Sequence, residues 1–180
     1  MPEILLIPLA ADGDLPVEDF AVDLGAVLFS PVTLVDLPIP LHEAYDKSRR
    51  QYHSGMLLTL MLEYAPAGDS KLLGITGHDL FLPVLTYVFG QAQLASRACV
   101  FSSYRLRNEL YGLPPSPILL RQRSFKEALH ELGHTYGLRH CSDYPCVMNT
   151  STYAEDIDLK PAQFCDMCWI TVNTHRGRTS

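Results

Sequence analysis

Ser124-Phe125-Lys126-Glu127-Ala128-Leu129-His130-Glu131-Leu132-Gly133-His134-Thr135-Tyr136-Gly137-Leu138-Arg139-His140, followed by Cys141, Cys146 and Met148, is the stretch on which the reading of the whole chain turns. The spacing predicts a helix over 124–137. Ser124 reads as its N-cap, with Glu127 three residues on completing a capping box. At about 100° per residue, Phe125, Ala128, Leu129, Leu132 and Tyr136 share one apolar stripe, expected to face the core. His130 and His134 lie on the opposite side, four residues and roughly one turn apart, so their rings can share one ion. Glu131 belongs to that polar side and flanks the space beside them. Gly137 should stop the helix in a left-handed conformation and bring His140 back towards the other two imidazoles. Three imidazoles around zinc leave one coordination position open, as a catalytic rather than a structural site requires. A bare His-Glu-x-x-His pentamer also arises on ordinary exposed helix faces. The added Gly137, His140 and Met148 argue against that blander reading.

The 180 residues are 47% hydrophobic and 19% charged, enough for one globular domain over 1–180 with a sizeable core. A formal charge of −6 gives no electrostatic reason to expect nucleic acid or an anionic membrane as partner. The basic tail His175-Arg176-Gly177-Arg178 reads as a solvated end. The opening Met1-Pro2-Glu3-Ile4-Leu5-Leu6-Ile7-Pro8 lacks the cationic start and long apolar run of a secretory signal. No stretch reaches the ~18 to 20 uninterrupted apolar residues of a membrane span. These features predict a soluble, cytoplasmic protein; oligomeric state is not readable.

In a reducing compartment the five cysteines are not expected to form disulfides. Cys141-x4-Cys146 and Cys165-x2-Cys168, separated by 18 residues, have the layout of two chelating arms. Four thiolates would close a tetrahedral structural zinc site; two disulfides or ordinary buried thiols are the alternatives. Cys99 is left over and reads as a small core hydrophobe.

Elsewhere, 3–9 reads as a buried strand, 17–29 as a helix, 32–37 as a strand and 48–63 as a helix weakened by Gly55. A strand over 71–76 follows, then a turn in which His78 stands apart from any second ligand. Strands are predicted over 85–93 and 97–102, a short helix or loop over 104–111, and a proline-rich connection over 112–117. After the 124–137 helix come a cysteine-bearing loop and a last helix from about 160. Cys165 and Cys168, three apart, can face one ion from a single turn of it. Strands and helices alternate ahead of the motif, and little sheet is expected after it.

The motif resembles that of the archaemetzincins, in the metzincin clan of zinc peptidases. The likeness rests on His130-Glu131-x2-His134-x2-Gly137-x2-His140-Cys141-x4-Cys146-x-Met148 and the closing Cys165-x2-Cys168. Weaker echoes are Arg50-Gln51-Tyr52 leading into Leu57-Leu58, Phe89-Gly90-Gln91-Ala92, and Ser103 through Arg105-Leu106. The resemblance implies a compact α/β (α+β) metzincin-like fold: a twisted mixed sheet with the active-site helix in an upper subdomain, 1–137, and a smaller lower subdomain, 138–180, carrying the Met-turn and the four-cysteine zinc site. Met148 would form an apolar floor under the catalytic zinc. The implied activity is zinc-dependent peptide hydrolysis, with Glu131 as general base and then acid. Two zinc ions per chain follow, one on His130, His134 and His140 and one on Cys141, Cys146, Cys165 and Cys168. A peptide or unfolded protein would be the substrate, paired in extended form with a strand edge for which 89–93 is the candidate. Tyr144 and Tyr153 are candidate oxyanion donors, with packing or solvent exposure as the alternative. A zinc-stabilised peptide-binding protein with little hydrolysis is the competing reading. Glu131 favours the enzyme, because a binding module has no use for a base there.

Overall fold

The structure, a computed structural model, describes residues 2–10, 13, 15–143 and 145–176. Tyr144 and the tail positions Gly177 and Arg178 lie outside the described residues.

Five strands build the main sheet: β1 (Ile4–Pro8), β2 (Val32–Leu34), β5 (Lys71–Thr76), β7 (Gly90–Ala92) and β8 (Ala98–Ser102), in the order β2-β1-β5-β8-β7. The pairings of β1 with β2 and β5, and of β5 with β8, are parallel. Only β7 runs antiparallel, at the edge. A parallel sheet must be covered on both faces, which explains the near-continuous apolar runs of β1, β5 and β8. Ile4, Leu6, Leu73, Ile75, Cys99 and Phe101 pack on one face with α1 (Val17–Leu28) and α3 (Pro117–Thr135). Leu5, Ile7, Leu72, Ala98 and Val100 alternate to the other face, under α2 (Ser54–Tyr64). Cys99 is fully buried in this core, as its apolar neighbours predict. A small second sheet orders β3 (Tyr45–Asp46), β4 (Gln51–His53) and β6 (Leu80–Phe81). After α3 come α4 (Ala154–Leu159) and α5 (Asp166–Arg176). The fold is α/β with mixed sheets.

Several boundaries differ from expectation. The central helix begins seven residues earlier than predicted. Ser116 caps it by accepting from the Leu119 amide at 3.4 Å, and Pro117 occupies the first turn, where its missing N–H is harmless. Ser124 is therefore a fully buried mid-helix residue and no N-cap. The helix expected over 48–63 starts at Ser54, because the Asp46 carboxylate accepts from the Ser48 and Arg49 amides and closes a β3–β4 turn. The strand expected over 85–93 shrinks to β7. Pro83 lacks a donor, Leu85 N–H turns back to Leu82 O, and Val84 is 87% exposed with nothing to pack against. No helix starts at Lys160, which instead closes α4, its amide donating to Asp156 O at 3.4 Å; α5 begins beyond Cys165.

Candidate metal centre and cleft

α3 passes beneath the edge of the main sheet and carries His130 and His134 on successive turns. Ala128, Leu129 and Leu132 face the core as predicted. The opposite face is covered too, leaving His130 and Glu131 only 6% and 5% exposed. Two contacts to backbone carbonyls hold the end of the helix. Lys71 Nζ donates to Thr135 O at 2.8 Å, and Ala95 N–H donates to His134 O at 2.9 Å. The chain then reverses at Gly137 with φ +86°, closed by Leu138 N–H donating to Gly133 O at 3.1 Å. The reversal brings the His140 ring centroid within 5.3 Å of His130 and 5.1 Å of His134.

The imidazole nitrogens are already assigned by their surroundings. Nδ1 of His130 lies 2.9 Å from Val147 O, and Nδ1 of His134 lies 2.8 Å from Leu138 O. A carbonyl only accepts, so both Nδ1 atoms carry the proton and both Nε2 atoms present lone pairs. Those two Nε2 atoms face each other at 3.2 Å. Burial, reinforced by the charge of Lys160, holds His130 well below the ordinary imidazole range, and burial also lowers His134. Neutral rings with converging lone pairs need a cation between them. Zinc–nitrogen bonds of about 2.0–2.1 Å in a tetrahedron put nitrogens about 3.3 Å apart, so the set fits zinc.

Met148 is fully buried below this group, where a Cβ at Gly133 would meet its Sδ at 2.5 Å. The turn that delivers it is pinned by Cys141 N–H donating to Met148 O at 3.0 Å. Asn149 Nδ2 reinforces it with bonds to Cys141 O (2.7 Å) and Asp143 O (2.9 Å).

The four cysteines predicted as chelators converge as well. Ligand atoms of Cys141, Cys146, Cys165 and Cys168 all lie within 4.8 Å of one another. Cys141 Sγ and Cys165 Sγ are 3.9 Å apart, far beyond the roughly 2.05 Å of a disulfide and close to the spacing of two thiolates on one zinc. The Cys165 amide donates to Cys146 Sγ at 3.4 Å. A backbone hydrogen bond from Cys168 lowers Cys165, while burial and the adjoining sulfurs push Cys168 far up. Four clustered sulfurs cannot all ionise without a metal to compensate them.

A cleft of about 510 Å³ runs past His130 and His140. Its rim is formed by residues 85–90, and its other wall by Thr150, Ser151, Thr152 and Lys160. Tyr87 donates across it to Thr152 O at 3.0 Å. Glu131 sits in the wall directly under β7, where a Cβ on Gly90 would fall 2.6 Å from its Oε1. Burial first, then the neighbouring Glu127 charge, raises its carboxyl well above the usual carboxylate range; Lys160 offsets part of this. Tyr153 does not line the cleft and is 63% exposed. His78 stacks on Tyr52 at 4.5 Å and belongs to neither group of metal-ligating side chains. Sequence reasoning missed Lys71, Tyr87, Asn149 and Lys160, whose roles depend on distant partners.

The profile of peptidase family M54 matches residues 29–174. The chain belongs to the archaemetzincins. An archaemetzincin of Methanocaldococcus jannaschii is 42% identical over 134 residues, covering 74% of this chain and 71% of that one. The solved archaemetzincin of Methanopyrus kandleri superposes with a TM-score of 0.82 at 34% identity, over 98% of this chain and 96% of its own. That of Archaeoglobus fulgidus, complexed with malonate, gives 0.79 at 34% identity over 94% and 99%. Archaemetzincin membership makes the chain a zinc metallopeptidase of mixed α/β fold. Among the described residues, no helix is long and apolar enough to cross a membrane.

Proposed function

We propose that the chain cleaves peptide bonds in short peptides or unfolded protein, with His130, His134 and His140 holding a zinc ion and Glu131 carrying the proton from water to the leaving amine. Bound there, zinc supplies Lewis acidity that lowers the pKa of water and polarises a carbonyl. The two helical histidines present Nε2 in a fixed tautomer, because their Nδ1 protons are held by Val147 O and Leu138 O. Glu131 opens onto the same cleft beside His130, where its carboxylate can take a proton from water and pass it to the leaving amine. Substrate pairs in extended form with the edge strand β7. Cys141, Cys146, Cys165 and Cys168 hold a second, structural zinc in a closed site, a thiolate arrangement suited to a reducing, cytoplasmic setting. Residues 1–137 then form the upper subdomain and 138–180 the lower, with the cleft between them.

The observation that carries this reading is the pair of Nε2 atoms facing each other at 3.2 Å with both Nδ1 atoms tied back. The test is turnover of a diverse peptide library by zinc-loaded native protein and by Glu131→Gln. The variant should keep its zinc and lose about 10²-fold or more in turnover. Equal turnover by the variant, or none by the zinc-loaded native protein, rejects the mechanism.

A further inference from the structure

Gln51, Asp79 and Arg105 stand behind the rim of the cleft, and the proton-transfer mechanism uses none of them. Gln51 opens β4, Asp79 lies between β5 and β6, and Arg105 is the middle residue of a short 3-10 helix, Tyr104–Leu106. The Asp79 carboxylate accepts from Arg105 Nε and Nη2, each at 2.7 Å, and from Gln51 Nε2 at 2.9 Å. Partly exposed ion pairs contribute little as a rule, but a bidentate one fixes the guanidinium in place. Tyr87 lies against that guanidinium, with Arg105 Cζ 4.1 Å from the centroid of its ring. The same ring meets Phe89 edge-on, with centroids 5.6 Å apart. Its hydroxyl then donates to Thr152 O on the far wall at 3.0 Å. A chain of contacts thus runs from Asp79 through Arg105 and Tyr87 to the other side of the cleft.

Residues 85–87 belong to no strand, so side chains must hold them. Arg49 Nη2 donates to Leu85 O at 2.8 Å and to Thr86 O at 3.1 Å, and Gln51 Nε2 donates to Thr86 O at 3.0 Å. Thr152 is fixed on its own side, its amide donating to Asp156 Oδ2 at 2.8 Å. Among the described residues, no other hydrogen bond joins 85–90 to 150–152. His130 and Glu131 stand apart from this arrangement, since α3 carries both and β7 beside Glu131 is paired with β8. Loosening Tyr87 would therefore widen the cleft without moving the groups that do the chemistry. We propose that Arg105 is a positioning residue for substrate binding: seated on the Asp79 carboxylate, it holds Tyr87 where the phenol spans the cleft, and that span sets the distance between the walls that grip the substrate. The assignment rests on the peptidase reading above for the identity of the substrate as a peptide.

The test compares native protein with Arg105→Lys, Tyr87→Phe and the double variant, all zinc-loaded. Lysine keeps the charge of Arg105 without its planar fork, and phenylalanine keeps the ring of Tyr87 without its hydroxyl. Two quantities are measured: steady-state kinetics on a peptide that the native protein cleaves, and affinity for a peptide hydroxamate, which binds the metal and is not cleaved. Each single variant should raise KM and the hydroxamate Kd about tenfold, with kcat within about twofold of native. The double variant should bind no worse than the weaker of the two, because both lose the same span. If Arg105→Lys fails to fold, Asp79→Asn, which weakens the same pair, takes its place. A merely structural Arg105 would lower Tm and leave KM and Kd unchanged, and that result overturns the proposal. Additive losses in the double variant overturn it too, as does tighter binding by Tyr87→Phe, which would make the span a barrier to entry. The expected pattern of affinities without any turnover sinks the hydrolytic mechanism alone, whereas turnover with unchanged affinities sinks only the role given to Arg105. No hydroxamate binding by native protein overturns both.

Discussion

The carboxylate of Glu131 fills the space that a side chain at position 90 would occupy: a Cβ on Gly90 would lie 2.6 Å from Oε1, 2.7 Å from Cγ and 2.8 Å from Cδ. The edge strand and the candidate base are thus built against each other, and glycine at 90 is a requirement of the site more than of the strand. Gly90→Ala should push Glu131 aside. The far end of the side chain can yield, so the fold should survive with a loss of about 1–3 kcal/mol. A displacement of about 1 Å at the base should lower kcat about 10²-fold. Zinc content and KM should change little. Melting curves, metal analysis and steady-state kinetics on one preparation check all three, and unchanged kcat would show that Glu131 tolerates the move.

Gly133, inside the motif, is held by a second close approach. An added methyl would meet Met148 Sδ at 2.5 Å and Phe164 Cε1 at 3.0 Å. In an ordinary helix interior, alanine for glycine is stabilising by roughly 1 kcal/mol. Here Gly133→Ala should destabilise by about 1–3 kcal/mol. In a Met148→Ala background, itself less stable by about 2–5 kcal/mol, the penalty should largely vanish. Denaturant melts of the four proteins give the coupling, and additive effects would mean that Met148 does not press on the helix.

The two metal groups should separate in their effects. Cys165→Ala opens the thiolate cluster, and structural zinc contributes directly to folding. Zinc content should fall from two per chain to one, and Tm by about 10 °C or more. His134→Ala should also remove one zinc, abolish turnover and lower Tm far less. Elemental analysis with calorimetry checks this. Equal losses of Tm in the two variants would contradict the division into structural and catalytic ions.

The convergence of the candidate ligands was legible in the sequence because its parts are local. His130 and His134 are four apart on one helix, Gly137 supplies a turn with φ +86°, and His140 is delivered three residues later. The cysteine pairs carry their own spacing. The alternation of strands and helices was visible in the apolar segments and the fold class in the motif's resemblance, but the order β2-β1-β5-β8-β7 depends on pairings between distant strands that no local pattern encodes. Ser124 and Glu127 imitate a capping box, and the imitation hid both the true start at Ser116-Pro117 and the partner of Glu127. Lys160 reads as the start of the last helix; only the folded chain brings it into the wall of the cleft.

Asp156 gives the pH dependence with an assignable sign. Its carboxylate accepts from the Tyr153 amide at 2.9 Å and the Thr152 amide at 2.8 Å, fastening the start of α4 and, through it, the approach to Lys160. Those bonds, Tyr153 first, hold its pKa below the ordinary 3.8. In the window beneath 3.8 the unfolded state binds more protons than the folded one, so stability rises with pH there. The contribution is complete above 3.8 and is lost as pH falls through the lower folded value. Asp156→Asn keeps an accepting oxygen but has no charge to lose. The native protein should therefore be the more stable of the two above about pH 4, by at most about 1 kcal/mol because the carboxylate is solvent-exposed and screened. The difference should close as the pH drops below 3.8. Urea melts of both proteins across that range measure it, and a gap that stayed constant with pH would assign the bonds to geometry alone.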